Sequence, residues 1–383
     1  MTTEHVPGTT PSSVLDRLGG LLTLLTARPV SLHAVAVLRI GYGLLYLVFL
    51  LREFPHRDEI WGPGSPWTPA MAEQLFERTG WFSVLTLSDS RWYFELCYAG
   101  ALVVAALFLV GWRTRAVSVL FFGVVESFHA RAIFMTDGGD NLILLMAAYL
   151  VLTACGRRWS LDARRSRLRA AARPPGQPER GRLRLRIPDA PRVRASQRTL
   201  TTVLHNCALL VIAAQVCFLY GSAGLYKVQG GSWGNGTALH YVLNLELFQP
   251  WPFLSRLADE HTLLIAVAGY LTVLLQVAFP FVLFGPLKYP VLAMLLGMHV
   301  GIAVLMGLPL FSGAMIVADA VFLPDRFYLA VYAAGGRALR RPGRGGPGHD
   351  RPGRGGSGRA GAGAEDVSVP RQSVPRRSGA ARP

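Results

Sequence analysis

The sequence predicts an all-α, polytopic integral membrane protein, a helical bundle with about eight transmembrane helices. Three observations predict it. Apolar residues make up 51% of the 383 residues and gather in blocks of about 20 rather than in amphipathic stripes. The net charge of +16 is concentrated in two stretches: residues 156–198 hold 14 Arg against three acids, and residues 335–383 hold 11 Arg against three acids. Those stretches carry +19 between them, which leaves the remainder near −3. Finally, the basic connections between apolar blocks alternate with connections that are not basic, as the positive-inside rule requires of a multi-pass chain.

Residues 1–32 combine Pro, Thr and Ser with a short leucine patch closed by Arg28 and Pro29, with no small-residue cleavage site. They read as a cytoplasmic N-terminal segment, with the first span directing insertion. The spans are expected at 33–51, 93–110, 116–134, 141–154, 202–220, 262–284, 289–306 and 310–323, the fourth and eighth being short. The first four occupy 33–155 and the last four 199–330. Arg113, Arg115, the 156–198 linker, Lys288 and the 335–383 tail fall on one side, which is therefore cytoplasmic and holds both termini. Loop 52–91, with four Arg and six acids, falls on the other, with Asp137, Asp140, Lys227, Asp259 and Glu260.

The linker contains Pro174, Pro175, Pro178, Pro188 and Pro191 and reads as a flexible loop. The tail, rich in Gly, Arg and Pro, reads as disordered because it cannot bury enough apolar surface to offset ordering entropy. With no helix-turn-helix, zinc or RNA-binding motif beside the basic charge, the expected partner is the anionic inner leaflet and not nucleic acid. Loop 52–91 interleaves Trp61, Trp67, Phe76, Trp81 and Phe82 with Pro63, Pro66 and Pro69, and is expected to fold back on the bilayer interface. Thr68-Pro69 predicts the cap and first residue of a short helix through Glu77. Cys97, Cys155, Cys207 and Cys217 have no CxxC spacing and read as small apolar core residues.

Ionisable residues inside spans cost roughly 2.5–3.5 kcal/mol each and face a cavity or one another. Arg39, Glu126, His129, His299 and Asp319 are such residues. Arg39 and Glu126 lie about 8 Å apart in depth, within reach of a long side chain, so they are expected to pair, either as a structural lock or as a cavity lining. Glu126-x-x-His129 is half of a carboxylate-bridged di-metal pattern without its second half, so no metal is expected. Asp140 is expected to cap the fourth span, and Asn141 can turn an amide into the bundle.

The most informative stretch is Gly221-Ser-Ala-Gly-Leu-Tyr-Lys227, followed by Gly230 and Trp233. Gly221 and Gly224 suggest close packing or a bend. Lys227 either snorkels to the interface or is enclosed beneath Trp233, where desolvation favours a neutral amine able to act as a base.

Arg39, Gly111-Trp-Arg113, Gly139-Asp-Asn141, Ala223-Gly-Leu-Tyr-Lys227 with Trp233 and Gly236, and His299 through Met306-Gly-Leu-Pro-Leu-Phe311 together resemble the horizontally transferred transmembrane domain family. That family includes vitamin K-dependent gamma-carboxylases and the bacterial sporulation-delaying-protein B group; the chain's size fits the latter better. The resemblance covers residues 30–330 apart from the linker. It implies Lys227 and His299 as catalytic residues and Arg39, Asp140, Asn141, Tyr226 and Trp233 as substrate-binding residues. It also implies a reduced quinone as cofactor and a secreted peptide as partner. The chain departs from the carboxylases at Tyr226, where they have a second lysine, and at Asp140-Asn141, where they have a histidine. Its residues after the eighth span read as a basic tail rather than a lumenal domain. Two functions are therefore expected as alternatives: an enzyme using Lys227 as base on a lipid-soluble quinol or exported peptide, or a non-catalytic factor for maturation or export of a secreted peptide.

Overall fold

An apolar segment in a bilayer can satisfy its backbone only internally, and a helix does so within one segment. The computed structural model describes residues 19–20, 23, 25–172 and 190–339, and no strand occurs among them. In chain order the helices are α1 (Leu32–Arg52), α2 (Pro69–Thr79), α3 (Arg91–Val110), α4 (Thr114–Arg131), α5 (Gly138–Leu152), α6 (Leu161–Ala171) and α7 (Ala190–Val228). They continue with α8 (Ala238–Leu243), α9 (Pro252–Asp259), α10 (Thr262–Val282), α11 (Lys288–Leu305), α12 (Pro309–Asp319) and α13 (Asp325–Leu339).

Five helices are long and apolar enough to cross a membrane: α1, α3, the Ala195–Val228 part of α7, α10 and α11. The protein is thus a helical bundle of membrane-embedded character. Each of the other three expected spans is also a helix, for a different reason falling outside those five. Helix α4 carries Arg115, Glu126 and Arg131. Helix α5 has 15 residues, roughly 22 Å against a hydrocarbon core of about 30 Å. Helix α12 is short and is prolonged by the 3-10 turn Ala320–Phe322.

Helix α1 packs against α3, α5 and α12, and α7 packs against α5 and α10. Gly43 lets α1 approach α3, since a Cβ there would lie 3.0 Å from the Leu109 backbone. Phe108 and Phe121 stack with centroids 4.2 Å apart in the core between α3 and α4. The chain divides into units Met1–Gly335 and Gly336–Pro383, and the site belongs to the first.

Within loop 52–91, Trp61 is 2% exposed, packs edge-on against Phe49 and Phe128, and donates its indole N–H to the Phe128 carbonyl at 3.1 Å. An indole can be buried once that donor is satisfied. Helix α2 does start at the expected cap, where Thr68 Oγ1 accepts from the Met71 N–H, and it ends at Gly80 with φ 75°.

The linker is not a loop throughout. Ser160 caps α6, and α7 begins at Ala190, a dozen residues before the expected 202. The linker's first part also has tertiary partners. Asp162 accepts from the backbone N–H groups of Arg113 and Thr114 and from the Thr114 hydroxyl. Burial alone would raise that carboxyl's pKa, but these bonds outweigh it and hold the group below its ordinary range. At the expected tail boundary α13 continues to Leu339, and its Tyr328 and Tyr332 pack against Trp159. Residues 173–189 of the linker, 340–383 of the tail and most of 1–32 lie outside the described residues.

Candidate functional site

Tyr220 and Lys227 are seven residues apart on α7 and share a helix face, with Gly224 between them. That face meets α10. A Cβ on Gly224 would lie 2.8 Å from Val277 Cγ2 and 3.1 Å from Gln276 Cβ, so the glycine sets the depth of contact. The Tyr220 ring is fully buried and packs edge-on against Phe279 of α10 at 4.8 Å.

The Tyr220 hydroxyl donates to Asp319 Oδ2 at 2.9 Å and lies 3.0 Å from His299 Nε2. With the hydroxyl proton directed to Asp319, Nε2 must donate, which leaves Nδ1 as an acceptor. His299 on α11 is 2% exposed and Asp319 at the end of α12 is 8% exposed. Three titratable side chains from three helices therefore form one continuous chain inside the bundle. Its capacity is not filled: His299 Nδ1 and Asp319 Oδ1 are buried without partners, as are Gln276 Oε1 and Ser312 Oγ. Tyr42, whose hydroxyl donates to the Ala314 carbonyl at 3.0 Å, flanks the Asp319 side.

Lys227 lies about two turns along α7 from Tyr220. Its Nζ donates to the Ala223 carbonyl at 3.4 Å and sits 5.3 Å from the centroid of the Trp233 ring. Gly230 makes the reversal, its N–H bonding the Lys227 carbonyl at 3.0 Å. Tyr226, the neighbouring residue, is 80% exposed on another face and takes no part.

The remaining site candidates lie elsewhere. Arg39 neither pairs with Glu126 nor approaches Lys227. Its guanidinium donates to the carbonyls of Cys155 at 3.3 Å, Phe108 at 2.7 Å, Leu109 at 2.5 Å and Trp159 at 2.6 Å. Phe108 and Leu109 lie in the last turn of α3, where carbonyls carry partial negative charge, and Cys155 and Trp159 lie between α5 and α6, so backbone carbonyls satisfy the cation that Glu126 was expected to hold. Glu126 instead lies beside Ser127, and His129 stacks on Trp81 at 5.7 Å. Among the described residues no group of three His, Cys, Asp or Glu could hold a metal ion.

Asp137, not Asp140, is the N-cap of α5. The two form a capping box in which Asp137 accepts from the N–H groups of Gly139 and Asp140 while Asp140 accepts from Asp137. Asn141 turns its amide back to the Asp137 carbonyl at 2.8 Å rather than into the bundle.

A partly open cavity of about 250 Å³ lies beside this capping box, between the ends of α1, α4 and α5. It is separate from the polar chain. Phe311 joins them, lining the cavity while its ring lies 6.1 Å from that of His299. A second space, an apolar groove of about 640 Å³, runs between α7 and α10 along Phe218, Gly221, Leu225 and Pro280, without reaching Lys227. The polar chain is where buried titratable side chains from three helices are hydrogen-bonded to one another, and it marks the site.

Past Lys227, α8 and α9 are latched by His240 Nδ1 and Asp259 Oδ1 at 2.6 Å and by Asn244 Nδ2 donating to Asp259 Oδ2 at 2.8 Å. Burial would raise the Asp259 carboxyl, but bonds from Asn244 and His240 outweigh it and hold it below its ordinary range.

The site thus has the form of a buried hydrogen-bonded chain of titratable side chains in a helical membrane bundle. Compared with protein-family models, curated proteins and solved structures, the chain matches none. Sequence reasoning singled out Lys227, His299 and the costly Asp319 but missed Tyr220 and Gln276, whose signal was their polarity within apolar spans.

Proposed function

We propose that this is an integral membrane enzyme of the horizontally transferred transmembrane type, with eight crossings and both termini cytoplasmic. In this reading it removes a proton from a lipid-soluble quinol or an exported peptide on the extracytoplasmic side. Lys227 is the base, and the His299–Tyr220–Asp319 chain receives the proton or balances its charge. The single observation that carries this reading is the buried hydrogen-bonded triad with two unpartnered polar atoms, on the same helix face as a lysine that has an indole beside it. Such a chain is expensive within a membrane and is retained where protons move.

The residues fit a reduced quinone in one respect: the apolar groove between α7 and α10 lies one residue from Tyr220 and can hold an isoprenoid chain. The quinol would supply a weakly acidic hydroxyl, and its proton would pass to Lys227 Nζ, leaving the quinolate. The test is turnover of menaquinol by purified protein with oxygen present, where Lys227→Ala should abolish activity and Asp319→Asn should reduce it. Equal rates for wild type and Lys227→Ala would refute the reading.

A second reading, a non-catalytic factor that escorts a secreted peptide, is favoured by the apolar rim of α8 and α9. There Tyr241, Leu247, Trp251 and Phe253 are all exposed. Under it, Lys227→Arg should preserve function, while replacing those four residues by serine abolishes it.

A further inference from the structure

We infer that the 250 Å³ cavity at the ends of α1, α4 and α5 is a binding site for an aliphatic ammonium group. The inference rests on the cavity's own walls and does not depend on base chemistry at Lys227.

Aromatic rings form much of the wall: Tyr46, Phe49, Trp61, Phe128 and Phe311. Ring faces carry negative potential and attract cations that can shed water. The charges favour the same ligand. Arg52 lines the cavity but is engaged by Glu53, with Nε to Oε1 at 2.6 Å. Asp137 and Asp140 remain, each using one carboxylate oxygen in the capping box.

Backbone polarity adds to this. Helix α1 ends at Arg52 and α4 at Arg131, and both last turns reach the cavity, through Phe49 and Arg52 and through Phe128 and Ala132. Helix C-termini carry partial negative charge. The opposing α5 N-terminus would attract an anion, but the Asp137 cap already occupies it.

The wall also contains a residue with an unpartnered polar group. Tyr46 is 4% exposed and forms part of the wall, and its hydroxyl is buried with no hydrogen-bond partner. An orphaned hydroxyl is costly unless something accepts or donates there.

Two sources share this chemistry: the headgroup of an amine phospholipid, and the amino group of a peptide or other soluble amine. The experiment is isothermal titration of full-length protein with choline, with lysinamide, and with 3,3-dimethylbutan-1-ol, the neutral isostere of choline. Saturable binding of an ammonium probe is expected, with the isostere about ten-fold weaker or more.

Asp137→Asn keeps a good N-cap residue while removing one charge, and should weaken ammonium binding about five-fold with an unchanged unfolding temperature. Phe49→Leu, which keeps the volume and loses the ring, should act in the same direction. Equal affinity for choline and its isostere, no saturable ammonium binding by folded protein, or unaltered binding by both variants would each overturn the inference. Repeating the titration in phosphatidylglycerol nanodiscs with and without phosphatidylethanolamine separates the sources. Weaker choline binding with the amine lipid identifies a headgroup, and equal binding identifies a soluble amine.

Discussion

Tyr220 and Asp319, ninety-nine positions apart, are joined by a hydroxyl-to-carboxylate hydrogen bond of 2.9 Å at the centre of the bundle. Because Tyr220 also meets His299, its single hydroxyl satisfies part of two buried titratable groups. Removing it should be felt twice. Tyr220→Phe is expected to cost about 1–3 kcal/mol in stability, and a cycle with Asp319→Asn should show coupling of about 0.5–3 kcal/mol. Reversible unfolding of the four proteins in detergent micelles measures both quantities.

Arg39 should behave as a structural residue rather than a substrate ligand. Arg39→Lys places one compact ammonium where a planar fork served four carbonyls and should destabilise the protein by roughly 2–4 kcal/mol. Because Arg39 sits away from the polar chain, substrate affinity of the folded fraction should be unchanged. A shift in KM without loss of thermal stability would contradict this assignment.

Gly224 sets how deeply α7 and α10 pack. Gly224→Ala brings a methyl within 2.9 Å of the Val277 backbone nitrogen, a contact that no rotamer change relieves, and the expected cost is about 1–3 kcal/mol. Gly123, around which nothing lies within 4 Å, is the control: Gly123→Ala should be neutral or slightly stabilising, by up to about 1 kcal/mol. Thermal midpoints of the two variants should move in opposite directions or differ clearly in size.

Acid should loosen the connection between α6 and the start of α4. Asp162 has a lowered pKa in the folded protein, so its contribution is fully present above the ordinary value of 3.8 and is lost as pH falls through the lower folded value. Wild type should therefore lose stability on that descent more steeply than Asp162→Asn. Unfolding temperatures recorded between pH 5 and 2.5 for both proteins provide the comparison.

The orientation has its own measurement. Cysteine introduced as Lys227→Cys, in a background lacking the four native cysteines, should react with an impermeant maleimide added to intact cells. Labelling confined to inverted vesicles would reverse the proposed sidedness.

Helix existence was legible because apolar blocks of spanning length have one economical backbone solution, and α1, α3, α10 and α11 begin and end within about two residues of expectation, the ordinary scatter for helix ends. The start of α7 was not legible, since helix through residues 190–201 has no apolar signal. Lys227 with Trp233 was legible because the two are only six residues apart and local. The fate of Arg39 was not, because its partners are backbone carbonyls, which every residue possesses and no sequence pattern marks. Tyr220 escaped for a related reason: an aromatic in an apolar span looks like core until the residues facing its hydroxyl are known.

Helix α7 has 39 residues without a break, about 58 Å of continuous rod. A rod of that length transmits axial displacement with little loss. A pull or tilt applied at its Ala190 end, next to the arginine-rich linker, reaches Lys227 and Trp233 as a shift of the same lever.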